Sequence, residues 1–158
     1  MIIDSSYNSS PAALLAAINL VKEVKIRGKK IGVLGDMKEL GELAREEHEK
    51  VGKEAAKNFD FLVFVGPLMK KYAFPAALKA GFSEQKIFWF DKSKGVGEFV
   101  VKKLLDHDDL ILIKGSQNTI FLEQVVYEII KEKDKAKELL CRQSEYWEKT
   151  RKRFFENY

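Results

Sequence analysis

The sequence predicts an α/β domain: a mostly parallel sheet of about five to six strands, helices on both faces in three layers, and a helical extension at the C-terminus. Three observations predict it. Short apolar runs alternate with helical patterns along most of the 158 residues, the order expected of strand–helix–strand units. The runs are continuous rather than alternating, as in strands covered on both faces. Polar and glycine-rich connections follow the strands, at the ends where ligands sit in such folds.

The elements follow in order. Ile2–Asp4 reads as a short strand end. Ser9 or Ser10 caps the next helix, with Pro11 at its first position, where a missing N–H costs nothing. Ala12 to Val24 is apolar on nearly every face, which predicts deep burial, and Gly28 ends the pattern. "KIGVLG" at 30–35 is a second strand, followed by the loop "DMKELGE" and a polar helix from about Leu43 to Lys57. "FLVFV" at 61–65 is a third strand, stopped by Gly66-Pro67, and a helix spans about Leu68 to Ala80. "KIFWF" at 86–90 is a fourth strand. Ser93 is placed as the cap of a helix that buries Val96, Phe99, Val100 and Leu104. "LILIK" at 110–114 is a fifth strand, and the helix after it runs from about Thr119 to Ile130.

Composition narrows the classes. With 46% hydrophobic and 33% charged residues, the chain can bury a core and stay soluble. No apolar run reaches the roughly 18–20 residues of a membrane span, and no signal-peptide pattern opens the chain. The single cysteine, Cys141, makes no internal disulfide, so a cytoplasmic protein is expected. The net charge of +4 is concentrated in the tail: residues 131–158 hold nine Lys/Arg and six Asp/Glu. A nearly neutral body argues against a nucleic-acid partner.

Three stretches on the predicted rim carry candidate chemistry. In Asp4–Asn8, an acid at a strand end suits ribose hydroxyls, and Asn8 suits an adenine edge or a phosphate. The alternative, favoured on these residues alone, is a local Asx turn. In Gly35–Gly41, Asp36 and Glu39 suit an ammonium group or a metal, or else cap the next helix. His48 is placed on that helix facing the same rim, with packing as the commoner role of a lone histidine. Lys114-Gly115-Ser116-Gln117-Asn118-Thr119 combines a lysine at the end of a buried strand with a turn before a helix N-terminus, which attracts carboxylates and phosphates. This is the best anion site in the chain, although plain capping by Ser116 or Asn118 is close behind. No G-x-x-x-x-G-K-[ST] loop and no G-x-G-x-x-G after a strand is present. No Cys/His cluster suggests a metal, and no catalytic residue is assigned.

Three ordered motifs go further. "IIDSSYNSSP" resembles the D-D-T-Y-N-A-N-P segment of the Mur ligases that add D-alanyl-D-alanine. "IGVLGDMKELGE", with "HEKVG" at 48–52, is similar to their V-L-G-D-M-x-E-L-G and H-x-x-V-G. "LILIKGSQNTIFLEQVV" resembles their L-V-K-G-S-R segment and the E-x-V-V after it, and "VGP" at 65–67 also falls in place. The resemblance covers residues 2–126 and is to the C-terminal domain only. It implies a Rossmann-like sheet that closes as a lid over a central ATPase domain. The reaction it implies joins D-alanyl-D-alanine to UDP-MurNAc-tripeptide through an acyl phosphate. ATP and Mg would be bound mainly by the N-terminal and central domains, which are the implied partners, so this chain alone is expected to be inactive. Asp4, Tyr7 and Asn8 would line the nucleotide side. Lys114, Gly115, Ser116 and Asn118 would meet the dipeptide, with Asp36 and Glu39 ordering the neighbouring loop and His48 on the same substrate side.

The chain departs from the pattern at Ser5 (family Asp), Ser10 (family Asn) and Gln117 (family Arg). These motivate two alternatives: a stand-alone binding or scaffold module, or a ligase with another amino acid or peptide substrate. The expected division is residues 1–133 as the family domain, whether cut out of a longer ligase, truncated or part of a naturally split one, and 134–158 as an amphipathic tail. In that tail Leu139/Leu140, Tyr146/Trp147 and Phe154/Phe155 would form one helical stripe. Packing on its own domain is the preferred role, ahead of contact with a membrane or a partner.

Overall fold

The computed structural model describes residues 1–116 and 120–156. Five parallel strands form one sheet: β1 (Ile2–Ser5), β2 (Lys30–Gly35), β3 (Phe61–Val65), β4 (Ile87–Phe90) and β5 (Leu110–Lys114). Their order is β1-β5-β2-β3-β4. In register, β5 sets Ile113 beside Asp4 of β1 and Val33 of β2. Helices α1 (Pro11–Glu23), α2 (Ala44–Asn58) and α3 (Phe74–Lys79) follow strands that advance across the sheet. The chain then returns from the edge strand β4 to β5 through α4 (Val96–Lys103), and α5 (Glu123–Ile129) follows. Because parallel crossovers keep one hand, reversing direction puts these helices on the opposite face.

The central strands feed both faces, as their continuous apolar runs required. Leu34, Leu62, Phe64, Leu110 and Leu112 pack with Leu14 and Ile18 of α1 and Val51 of α2. Ile31, Val33, Val63, Ile111 and Ile113 pack with Val96 and Val100 of α4 and Val125 of α5.

Several expectations are corrected. Helix α1 buries only the stripe Leu14, Ile18 and Val21, and Leu20 is 53% exposed. Its all-round apolar look comes from small alanines, while one stripe at helical spacing meets the sheet. The helix expected after β3 is present without a break, but Met69–Ala73 is wound as a π-helix that runs directly into α3; Pro75 has no N–H with which to continue a regular α-helix there. Helix α4 is not capped by the Ser93 side chain. Gly95 and Gly97 donate their N–H groups to the Glu128 carboxylate at 2.9 and 2.8 Å instead. The last body helix starts at Glu123, and the start expected at Thr119 lies outside the described residues.

The tail is not one stripe. It forms α6 (Ala136–Leu139) and α7 (Glu145–Glu156), separated by a bend where Arg142 has φ +55°. Leu140 and Ala136 join the core on the α4–α5 face, while Leu139 and Tyr146 are exposed. Trp147, Phe154 and Phe155 gather around Phe121 with ring centroids 5.3–6.4 Å away. The tail therefore packs on its own domain. None of the described helices is long and apolar enough to cross a membrane.

Candidate functional site at the carboxyl ends of the strands

The rim is built around Asp36, one residue past β2. Its N–H donates to Val65 O and its carbonyl accepts from Ser116 N–H, so it ties β2 to the ends of β3 and β5. Its fully buried carboxylate accepts the backbone N–H groups of Met69 at 2.7 Å and Leu68 at 3.2 Å, and Lys38 Nζ lies 3.3 Å away. A carboxylate on the free N–H groups of a helix start is a favourable cap. Gly66 makes room for it: at φ +106°, an added Cβ there would lie 2.5 Å from Asp36 Cγ. Asp36 thus caps a helix, but the one that follows β3 rather than the next helix, α2, for which a cap was the expected alternative. Glu39 is exposed in a left-handed conformation, φ +64°, and does not join Asp36 in a shared pocket.

His48 meets the rim loop from α2. It is fully buried on α2, where Nε2 accepts the Met37 N–H at 3.1 Å and Nδ1 lies 2.6 Å from Ala44 O. A carbonyl can only accept, so Nδ1 carries the proton and Nε2 is the acceptor. Burial, the largest influence, lowers its pKa against the Ala44 bond. A neutral histidine here fastens the start of the 36–43 loop to α2, and both ring nitrogens are occupied.

Lys114 ends β5 between the ends of β1 and β2. It is 3% exposed. Its ammonium donates to Asn8 O at 2.8 Å and Ser5 Oγ at 3.2 Å, and burial lowers its pKa. Among the described residues neither partner is a carboxylate, and a lysine ammonium has three protons to place. Beside it, Gly115 packs so closely against Leu122 that a Cβ would fall 2.6 Å from that side chain. Ser116 is buried, its N–H bound to Asp36 O. Asn118 and Gln117 lie outside the described residues.

The β1–α1 loop holds the other expected residues. Asp4 is exposed and accepts the Ser6 N–H at 2.9 Å. Asn8 Oδ1 accepts the Ser9 N–H at 2.7 Å, and Ser10 caps α1 through the Ala13 N–H at 3.3 Å. These bonds are local, as the residues alone favoured, but Asp4 rather than Asn8 has the spacing of an Asx turn. They still leave the Tyr7 ring 63% exposed at the rim. The structure thus brings Asp4, Tyr7, Asn8, Lys114, Gly115 and Ser116 to one edge, with Asp36 beneath. His48 lies below the edge and Glu39 apart from it.

Sequence reading missed the buried cluster next to that edge. Glu123, at the start of α5, is fully buried and pairs with Arg142 at 3.2 Å and Arg151 at 3.4 Å. Burial raises its pKa, opposed by the two arginines. Arg142 also reaches the carbonyls of Ser6, at 3.4 Å, and Tyr7. An acid inside the apolar stretch "FLEQVV" was the available signal, because such a group needs a partner; nothing local names Arg142 as that partner. Among the described residues, no three His, Cys, Asp or Glu side chains gather as metal ligands.

A family model for the Mur ligase, glutamate ligase domain, matches residues 1–117. The chain belongs to the Mur ligase family. It is similar to the UDP-N-acetylmuramoyl-tripeptide–D-alanyl-D-alanine ligase of Bacillus subtilis, 33% identical over 129 residues, covering 82% of this chain and 28% of the relative. The ligase of the same name from Borreliella burgdorferi is 30% identical over 118 residues, covering 74% of this chain and 24% of the relative. Among solved structures, the MurF ligase of Thermotoga maritima in complex with ADP aligns with a TM-score of 0.64 at 26% identity, over 85% of this chain and 29% of that one. A MurF structure from Acinetobacter baumannii shares the fold, with a TM-score of 0.66 at 22% identity over 81% and 27% of the two chains. This Mur ligase domain therefore spans between a quarter and a third of most of these relatives, and slightly less of the Borreliella ligase.

Proposed function

We propose that this chain is the C-terminal, substrate-presenting lobe of an ATP-dependent ligase that joins D-alanyl-D-alanine to UDP-MurNAc-tripeptide. In this reading residues 1–133 are the lobe and 134–158 its helical tail. The single observation that carries it is Lys114, a buried ammonium at the carboxyl end of β5 whose described partners are all neutral. Burying a cation without a counter-charge is costly. The dipeptide's carboxylate would supply that charge, and its amine would then point away from the strand ends toward the acyl phosphate.

ATP, when bound, supplies the activation of the tripeptide carboxylate. Asp4, Tyr7 and Asn8 would form the nucleotide-side edge, where the exposed acid and ring fit a ribose and a base. The described residues do not fit Mg, since no acid cluster gathers at the rim; its ligands are assigned to the other two domains. The lobe's own contribution is orientation and exclusion of water from a labile intermediate. The expected result is no ATP hydrolysis by the purified chain, with ligation when N-terminal and central domains are supplied in trans. Turnover by the 158 residues alone would contradict the proposal.

A second reading has one observation in its favour. Ser5 stands where the family has Asp, and its hydroxyl contacts Lys114 at 3.2 Å. A binding module that kept the fold and lost the chemistry would show such a loss of charge. It would also show no response of the rim to D-alanyl-D-alanine or ATP with the missing domains present.

A further inference from the structure

The tail lies outside the family match, yet it reaches the rim. Arg142 is buried at the bend between α6 and α7. Its Nη1 donates to Glu123 Oε2 at 3.2 Å and Ser6 O at 3.4 Å, and its Nη2 donates to Tyr7 O. The guanidinium carbon lies 5.0 Å from the Tyr7 ring centroid and 5.5 Å from that of Trp147. Arg142 itself has φ +55°, a conformation that a non-glycine residue keeps only when its surroundings over-determine it. Cys141 adds a contact, its Sγ 3.7 Å from Ser6 Oγ. Three of these groups, Ser6, Tyr7 and Glu123, belong to segments that flank the proposed site.

We propose that Arg142 is a positioning residue of the β1–α1 loop. Its planar fork holds the carbonyls of Ser6 and Tyr7 from behind, so docking of the tail sets the nucleotide-side edge. Among the described residues the loop is also held by Lys114, whose ammonium donates to Asn8 O and Ser5 Oγ; the Asp4 and Asn8 side chains bond within the loop itself, and Tyr7 is largely exposed. A fork that reaches two carbonyls and a carboxylate together is a property of arginine, which lysine does not reproduce. The nucleotide part of this statement rests on the function proposed above; the loop part does not.

The test uses the whole 158-residue chain with two variants. R142K keeps the buried charge, and the double variant E123M/R142M removes both charges, so neither leaves Glu123 unpaired in an apolar setting. Loop order is read by amide exchange at Ser6 and Ser9, and nucleotide contact by ATP-induced NMR shifts at Tyr7 and Asn8. In both variants exchange at these amides should accelerate about tenfold or more relative to the β5 core, the scale of losing one charge-assisted hydrogen bond. ATP should bind about tenfold more weakly, on the same scale, while the melting temperature of R142K falls by only about 3–6 °C. Should E123M/R142M fail to fold, R142K alone decides. Unchanged exchange and unchanged ATP response in a folded variant would overturn the proposal and leave Arg142 a core ion pair. If the wild-type chain shows no ATP shift at Tyr7 or Asn8, the nucleotide reading fails, and the exchange data still decide whether Arg142 holds the loop.

Discussion

Replacing Asp36 by alanine should be among the most damaging changes at the rim, although Asp36 touches no proposed ligand. The carboxylate accepts the N–H groups of Leu68 and Met69 in a fully buried setting. Removing it leaves two donors without partners, at about 1–3 kcal/mol each. The ion pair with Lys38, whose side chain is 32% exposed, adds about 1 kcal/mol or less. The sum is about 2–7 kcal/mol, out of a stability of roughly 5–15 kcal/mol for an ordinary domain. At this chain length the melting temperature should fall by about 10 °C. Asp36→Asn keeps one acceptor oxygen and should lose about half as much. Urea unfolding with an unchanged slope is the assay. A loss below about 1 kcal/mol in Asp36→Ala would refute the view that this carboxylate holds the β3–α3 connection to the rim.

Other outcomes follow from the same geometry. His48 has a folded pKa below its unfolded value because it is buried. The unfolded chain therefore binds the proton first, and stability should fall as pH drops below about 6.5, levelling off below the folded pKa; His48→Gln should flatten that slope between pH 7.5 and 5 in urea titrations. Truncation after Asp134 removes Leu140 and the cover of Phe121, about 1.5–3 kcal/mol for each apolar side chain, and leaves Glu123 buried without Arg142 and Arg151. The truncate should be largely unfolded or aggregated by circular dichroism and light scattering, and a stable, more soluble truncate would contradict the packing of the tail. Ser5→Asp should place a carboxylate beside Lys114 Nζ, raise the lysine's lowered pKa and weaken the rise in stability expected of wild type at alkaline pH; an Nζ titration by NMR reads this directly.

The sheet was legible because its strands are bounded runs. The second, third and fifth strands carry no polar interruption, so their ends could be read to the residue. Helix ends were less legible where the decisive partner is remote. Nothing near Ser93 announces that Glu128, on the next helix, will cap α4. The rim was readable as a set of strand ends, but the division of labour within it was not. A loop-ordering role for Asp36 was legible from the resemblance, but which backbone groups Asp36 and His48 hold was not. Lys114 was easier to single out because its anomaly, a cation at the end of a fully apolar strand, is a property of the strand itself. The tail misled in the opposite way. Its aromatic pairs at seven- to eight-residue spacing suggested one helix, while the bend at Arg142 depends on a buried acid nineteen positions earlier.

The most direct test of the central claim is an NMR titration of the labelled chain with D-alanyl-D-alanine, following Lys114 Nζ and the amides of Gly115 and Ser116. Saturable shifts at these three positions, abolished in Lys114→Met with the fold intact, are expected if the buried ammonium receives the dipeptide carboxylate. Shifts that are absent, or that persist unchanged in Lys114→Met, would contradict the account.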